Sequence, residues 1–189
     1  MTGANREEVE IKLRIASEDR GKELLTAAGF SVCTPRHFES NVLFDTPDHR
    51  LRRDGRLLRV RQVGEKEPLL TYKGPGRAAK HKVREEIQLS ISDAVAFAAI
   101  LDILGLEPAF RYEKYRTEYE RPGEPGIATL DHTPIGGFLE LEGPPHWIDA
   151  TAKELGFAES DYILASYGRL YLEAVEDNPS LSSHMVFPE

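Results

Sequence analysis

Alternation at period two, with one sign of charge repeated along each polar face, constrains this chain more than any other feature. Residues 8–15 alternate without a break: Glu8, Glu10, Lys12 and Arg14 against Val9, Ile11, Leu13 and Ile15. That is the pattern of a strand with one polar face. Strands are predicted likewise over 36–46, 56–63, 68–73, 81–91, 110–120, 127–131 and 138–142. Ser17 opens a helix that Gly29 stops, and Ser92 and Asp93 open another over 94–104. Two more helices are expected at about 147–156 and 160–174. The strands come in runs interrupted by helices, which predicts an antiparallel α+β protein and not a parallel βαβ sheet.

The charges then narrow the architecture. Residues i and i+2 of a strand share a face about 6.6–6.8 Å apart. Glu8 with Glu10 and Glu140 with Glu142 are acidic pairs of this kind; Arg59 with Arg61 and Lys114 with Arg116 are basic ones. Lys73, Arg84, Glu86 and Asp131 stand on further strands. Solvated sheet faces mix signs, because unlike neighbours attract and like neighbours repel. Two like charges at about 7 Å cost about 2.4 kcal/mol at an effective dielectric near 20. Four such pairs approach the net stability of a domain. In water the cost is screened; in an enclosed site something bound must offset it. Paired carboxylates suit a hard cation such as Mg²⁺ or Mn²⁺, and paired Arg and Lys suit a phosphate. A metal-chelated polyphosphate meets both demands. Eight strands suffice for a closed barrel with these faces inside and helices covering the apolar outside. An open sheet with one wet face has the same periodicity.

Composition excludes other classes. The chain has 189 residues, a formal charge of -8 and one cysteine, Cys33. No apolar run is long enough to span a bilayer, and the first residues lack the apolar core of a secretory leader, so a cytoplasmic location is expected. A lone cysteine builds neither a disulfide framework nor a cysteine zinc site. The negative charge argues against a nucleic-acid partner. Self-association is left open. The six histidines have no metal-ligand spacing.

Glu8-Val-Glu-Ile-Lys12 resembles the ExExK signature of the CYTH family, the triphosphate tunnel metalloenzymes. Further segments resemble that family in order: Phe44-Asp45-Thr46, Leu58-Arg59-Val60-Arg61, Tyr72-Lys73-Gly74-Pro75, Arg84-Glu85-Glu86, Lys114-Tyr115-Arg116, Asp131, Gly137 to Glu142, and Ser166-Tyr167 with Leu170. The resemblance implies a single domain over 1–174, built as a closed eight-stranded antiparallel β-barrel with helices packed outside. Residues 175–189, with Pro179 and Pro188, are expected to form a loose tail. It implies that Glu8, Glu10, Glu140 and Glu142, supplemented by Glu86 and Asp131, gather Mg²⁺ or Mn²⁺. It implies that Lys12, Arg59, Arg61, Lys73, Arg84, Lys114 and Arg116 hold the phosphates, and that Lys12 positions or deprotonates the water.

The leading expectation is a metal-dependent hydrolase of inorganic triphosphate, thiamine triphosphate or a nucleoside triphosphate. The alternative is a class IV adenylate cyclase, with aromatics in 110–116 beside the base; a third reading is a polyphosphate-binding module without turnover. Gly74-Pro-Gly-Arg77 lacks the P-loop frame and reads as a plain turn before a lid, with Arg77, Lys80 and Lys82 as substrate contacts in the latter case. Tyr167 reads as a helix packing or hydrogen-bonding residue and not as a catalytic one.

Overall fold

The alternating segments pair into a ladder without an edge. The computed structural model describes residues 6–77 and 80–188. Its strands are β1 (Arg6–Ile15), β2 (Ser31–Asp45), β3 (Leu57–Gln62), β4 (Leu69–Lys73), β5 (Lys82–Ser90), β6 (Glu107–Glu120), β7 (Ile127–Thr133) and β8 (Gly136–Glu142). They form a closed barrel in the order β1-β5-β4-β3-β2-β6-β7-β8, every pair antiparallel. The helices are α1 (Glu18–Ala27), α2 (Arg50–Arg53), α3 (Ala94–Ile103), α4 (Pro145–Glu154) and α5 (Tyr167–Asp177). The expected closed antiparallel barrel is the fold observed. Among the described residues no helix is long and apolar enough to cross a membrane.

Closure turns the alternation inside out. Outward Ile11, Leu13, Leu130, Leu139 and Leu141 are at most 2% exposed. They are sealed by Leu25 of α1 and by Trp147, Ile148 and Ala152 of α4. Gly21 of α1 sits so close to Leu130 and Ile15 that an added Cβ would lie 2.6 and 2.8 Å from their methyls. The helices expected over 94–104 and 160–174 contribute little to this seal. Helix α3 buries only Leu101, and α5 packs its Tyr167 and Tyr171 against inward-facing Tyr112 and Phe138.

Several boundaries differ for physical reasons. β2 begins at Ser31 and not near 36, because Pro35 falls in an irregular stretch of the ladder where a missing N–H is tolerated. β6 begins at Glu107, with Pro108 beside the register shift at Leu43/Phe44. The four-residue α2 was not expected. The buried carboxylate of Asp45 builds it by accepting from the backbone N–H groups of Thr46, Leu51 and Arg52 at 2.8, 2.8 and 2.9 Å. The helix expected over 160–174 is split. Ile163 exchanges backbone hydrogen bonds with Lys12 at 3.0 and 2.9 Å, and α5 starts only at the Ser166 cap.

The end of the chain, expected to be loose, lies against β6. Met185 is fully buried and exchanges backbone bonds with Glu113 and Arg111 at 2.9 and 3.0 Å. Met185→Ala should therefore cost about 2–5 kcal/mol, the range for truncating a buried methionine. Urea denaturation measures this; an unchanged midpoint would mean that this segment is not held.

Candidate active site

Inside the barrel the charged rows become facing walls. β1 and β8 carry Glu8, Glu10, Glu140 and Glu142; four strands away around the ring, β2 and β3 carry Glu39, Arg59 and Arg61. β5 faces β6, so Arg84 and Glu86 stand across from Lys114 and Arg116. They enclose a cavity of about 510 Å³ whose lining includes Glu8, Glu10, Lys12, Arg59, Arg61, Lys73, Arg84, Glu86, Lys114, Arg116, Glu140 and Glu142. Of the residues that the resemblance assigns to metal or phosphate, Asp131 alone is outside this lining.

Register explains how the walls tolerate one another. Cross-strand partners pair Lys12 with Glu140, Glu8 with Arg84 and Arg116 with Asp131. The Lys12 ammonium stands 3.0 Å from Glu140 and 3.4 Å from Glu10. Against the opposing effect of burial, these two carboxylates push it above the ordinary lysine range. Between these two carboxylates the charged ammonium is the favoured form of Lys12. Lys82 lines the same cavity, 2.6 Å from Glu10, and burial together with Lys12 pushes it down to about 8. Arg116 is ion-paired with both Asp131 and Glu140.

Asp131 departs from its expected place among metal ligands. Fully buried, it accepts from Lys114 at 2.8 Å, from both Arg116 nitrogens at 2.7 Å and from the Tyr167 hydroxyl at 2.7 Å. Its oxygens are occupied by these donors, so it stands as a buried counter-ion to Lys114 and Arg116. Tyr167 thus packs and hydrogen-bonds, as expected of it, and its ring lies about 5 Å from the ammoniums of Lys12 (5.3 Å) and Lys114 (5.2 Å).

Sequence reasoning missed three members. Glu39, 1% exposed, lies 3.1 Å from Arg61, 3.7 Å from Lys114 and 3.5 Å from His37. Against burial, Lys114 and then His37 hold its carboxyl far below the usual range. Asn41 receives Arg61 Nε at 3.3 Å and keeps its own Nδ2 buried without an acceptor. Tyr112 takes a bond from Arg59 at 3.0 Å. Arg59 Nε and Arg84 Nε are also buried donors without acceptors. A wall of unanswered donors is what an anion rich in oxygen would satisfy.

The acidic wall suits a divalent ion by the same test. Burial, and next Glu10, push the Glu8 carboxyl up to about 7, and its Oε2 is buried without a donor. Added positive charge would relieve both. Among the described residues no three carboxylates already form a metal cage. Lysines intervene instead: Lys73 pairs with Glu8 and with Glu86 (2.9 Å to the latter), and Lys82 with Glu10. Glu142 has no Lys or Arg partner among the described residues. In the 74–82 loop, Ala78 and Ala79 lie outside the described residues. Arg77 reaches Glu7 at 3.3 Å, and Lys80 binds Asp149 and Glu159 at 3.1 and 2.9 Å, so neither joins the lining.

A family model described as CYTH domain matches residues 6–167. A Methanocaldococcus jannaschii protein provisionally named an adenylate cyclase is 32% identical over 136 residues, 71% of this chain and 75% of its own length. A Vibrio parahaemolyticus structure, also provisionally described as an adenylate cyclase, superposes with a TM-score of 0.76 at 22% identity, covering 89% of this chain and 99% of that one. A Hippeastrum protein called an adenylyl cyclase on the same provisional basis, and described as having a dominant triphosphatase activity, gives 0.61 at 19% identity, covering 93% and 97%.

Removing Glu39 should unbalance the basic wall. Glu39→Gln is expected to destabilise the ligand-free protein by about 3–5 kcal/mol, the range for breaking one partner out of a buried pair. A carboxyl held below its unfolded pKa contributes stability that is present at neutral pH and lost as pH falls below about 4.5. The variant's melting temperature should fall less on acidification than the wild type's. Tripolyphosphate should restore more stability to the variant, since it supplies the missing negative charge. Equal acid profiles in thermal melts would refute the assignment.

Proposed function

The chain belongs to the CYTH domain family, and on that premise we propose that it is a divalent-metal-dependent hydrolase of triphosphate-bearing substrates. Inorganic triphosphate, thiamine triphosphate and nucleoside triphosphates are the substrates to consider. The observation that carries this reading is the single cavity in which Arg59, Arg61, Lys73, Arg84, Lys114 and Arg116 surround one space with carboxylates on the far wall.

Each basic residue has a distinct task in this reading. Arg59 and Arg84 offer unbonded guanidinium nitrogens to phosphate oxygens, and Asn41 adds a neutral donor. Arg61, Lys114 and Arg116 are aimed by Glu39 and Asp131, so the donors are positioned before substrate arrives. Lys12 joins them as a fixed positive charge between Glu10 and Glu140. Phosphoryl transfer needs mainly positioning and charge neutralisation, so no Ser, Cys or His nucleophile is required. Glu8, Glu10 and Glu142, with Glu86 and Glu140 adjoining, would hold Mg²⁺ or Mn²⁺. When bound, that ion supplies Lewis-acid neutralisation of phosphate oxygens. Lys73 and Lys82, now paired with those glutamates, would be released toward the phosphates.

The adenylate cyclase reading stays as an alternative because of the name borne by the 32% identical relative. In it the ribose 3′-hydroxyl attacks the α-phosphate and diphosphate leaves. Incubation of tripolyphosphate, thiamine triphosphate and ATP with Mg²⁺ or Mn²⁺, with every product identified, separates the readings. Released orthophosphate is expected here; cyclic AMP with diphosphate would favour the cyclase, and binding without turnover a non-catalytic module. Glu142→Gln should lower activity at limiting Mn²⁺ by roughly 10²-fold, the scale of one lost electrostatic contact, and excess Mn²⁺ should recover part of it. Activity unchanged at limiting metal would remove Glu142 from the ligands.

A further inference from the structure

Beside the first residue of β5 the barrel wall has a seam. β1 and β5 pair as far as Glu10 opposite Lys82. Two residues further along β1, Lys12 has no β5 partner among the described residues. Ile163 takes that edge instead, with backbone hydrogen bonds of 3.0 and 2.9 Å in the two directions. The wall therefore passes from one chain segment to another, between 80–82 and 162–163. Both lysines at the seam line the cavity, and both reach the same oxygen of Glu10, Lys12 at 3.4 Å and Lys82 at 2.6 Å.

Asp149 spans this seam from outside. It stands on α4, next to the fully buried Ile148. Its Oδ1 lies 2.8 Å from His81 Nε2 and accepts from the Tyr162 hydroxyl at 3.1 Å. His81 precedes Lys82 and Tyr162 precedes Ile163, so each partner is one residue from the seam. Neighbouring residues of an extended chain point to opposite faces, so holding His81 outside directs Lys82 inward. Lys80 also reaches Asp149, at 3.1 Å from Oδ2, but its side chain is 40% exposed and such a pair is worth little. The His81 contact differs, because that residue is only 6% exposed. Against burial, His81, then Lys80 and Tyr162, hold the Asp149 carboxyl below the usual carboxylate range.

We propose that Asp149 is a positioning residue: from outside the barrel it ties together the segment that carries Lys82 and the segment that braces Lys12, and thereby sets where the two ammoniums stand around Glu10. The placement follows from geometry, and its effect on turnover rests on the hydrolase reading above. Asp149 lies outside the cavity lining, so it acts through these lysines and not on substrate. α4 suits the task because Trp147, Ile148 and Ala152 bury it against the strands β1 and β8. The anchor is thus fixed to the strand that bears Lys12 itself. Without the carboxylate, His81 and Tyr162 lose their shared acceptor, and the two sides of the seam are no longer tied to one atom.

Hydrogen exchange of the ligand-free protein tests the placement. Asp149→Ala should speed exchange at the Lys12 and Ile163 amides roughly 10-fold, the scale of one or two lost hydrogen bonds, and leave the β7–β8 ladder unchanged. Ile148→Val, a buried truncation on the same helix that keeps the polar contacts, should not do so. Hydrolysis of tripolyphosphate with Mn²⁺ tests the consequence. Asp149→Ala should lower kcat/KM roughly 10-fold in the wild-type background and roughly 3-fold or less in a Lys82→Met background, because the effect travels through Lys82. Asp149→Asn, which keeps an oxygen for His81 and Tyr162, should recover most of the loss. Unchanged exchange at Lys12 and Ile163 overturns the proposal, as does an equal loss of kcat/KM in both backgrounds. A wild type that releases no phosphate counts against the hydrolase reading alone. The same cycle is then read from tripolyphosphate affinity by calorimetry, where coupled losses support the proposal and additive ones overturn it.

Discussion

Charge compensation across the inside of a closed barrel is the constraint from which the rest follows. Burying an unpaired ion costs several kcal/mol even after relaxation. This interior holds Glu8, Glu10, Lys12, Glu39, Arg59, Lys73, Arg84, Lys114, Arg116, Asp131 and Glu140, each at most 9% exposed. It is tolerable because the register brings opposite signs together across neighbouring strands. The pairs Lys12 with Glu140, Glu39 with Lys114 and Arg116 with Asp131 are consequences of ladder alignment. A one-residue slip would send every one of these charges to the outside and the apolar alternates inward. The polar interior thus specifies register as firmly as an apolar core would.

Compensation is complete at the floor and incomplete nearer the walls that face the cavity. Asp131 is fully surrounded by Lys114, Arg116 and Tyr167. Glu8 has an oxygen without a donor, and Arg59, Arg84 and Asn41 have nitrogens without acceptors. That gradient separates structure from function within one network. Saturated groups fix geometry; groups left wanting are the ones a metal-bound polyphosphate would satisfy.

The amino-acid sequence made the charge signs and strand faces legible because period two is a local property. Twelve of the thirteen residues named for metal or phosphate line one cavity, and the exception is instructive. Asp131 carries the right sign, but its environment is decided by β6, whose Lys114 and Arg116 lie more than a dozen residues earlier. Glu39 was overlooked because its neighbour on the same face, Asn41, does not repeat the charge. Its meaning appears only when β2 is laid against β6 and β3. Boundaries failed where local signals conflict. Pro35 and Pro108 read as breaks although the ladder's irregular positions absorb them. Tyr162, Ile163 and Leu164 read as a helical run although Ile163 is engaged by the backbone of Lys12.

The inversion that makes the cavity also fixes where the fold is weak outside. A barrel that spends its inward positions on ions has only its outward positions for apolar burial, so each stretch of wall needs a cover. α1 and α4 cover β1, β7 and β8, and the buried Leu, Ile and Trp side chains there are worth roughly 1.5–3 kcal/mol each. Among the described residues β3 meets only the short α2, no helix packs on β4 and β5 to the extent that α1 and α4 do elsewhere, and the helix next to them in the chain is itself apolar. The basic residues Arg59, Lys73 and Arg84 are mounted on this less supported wall.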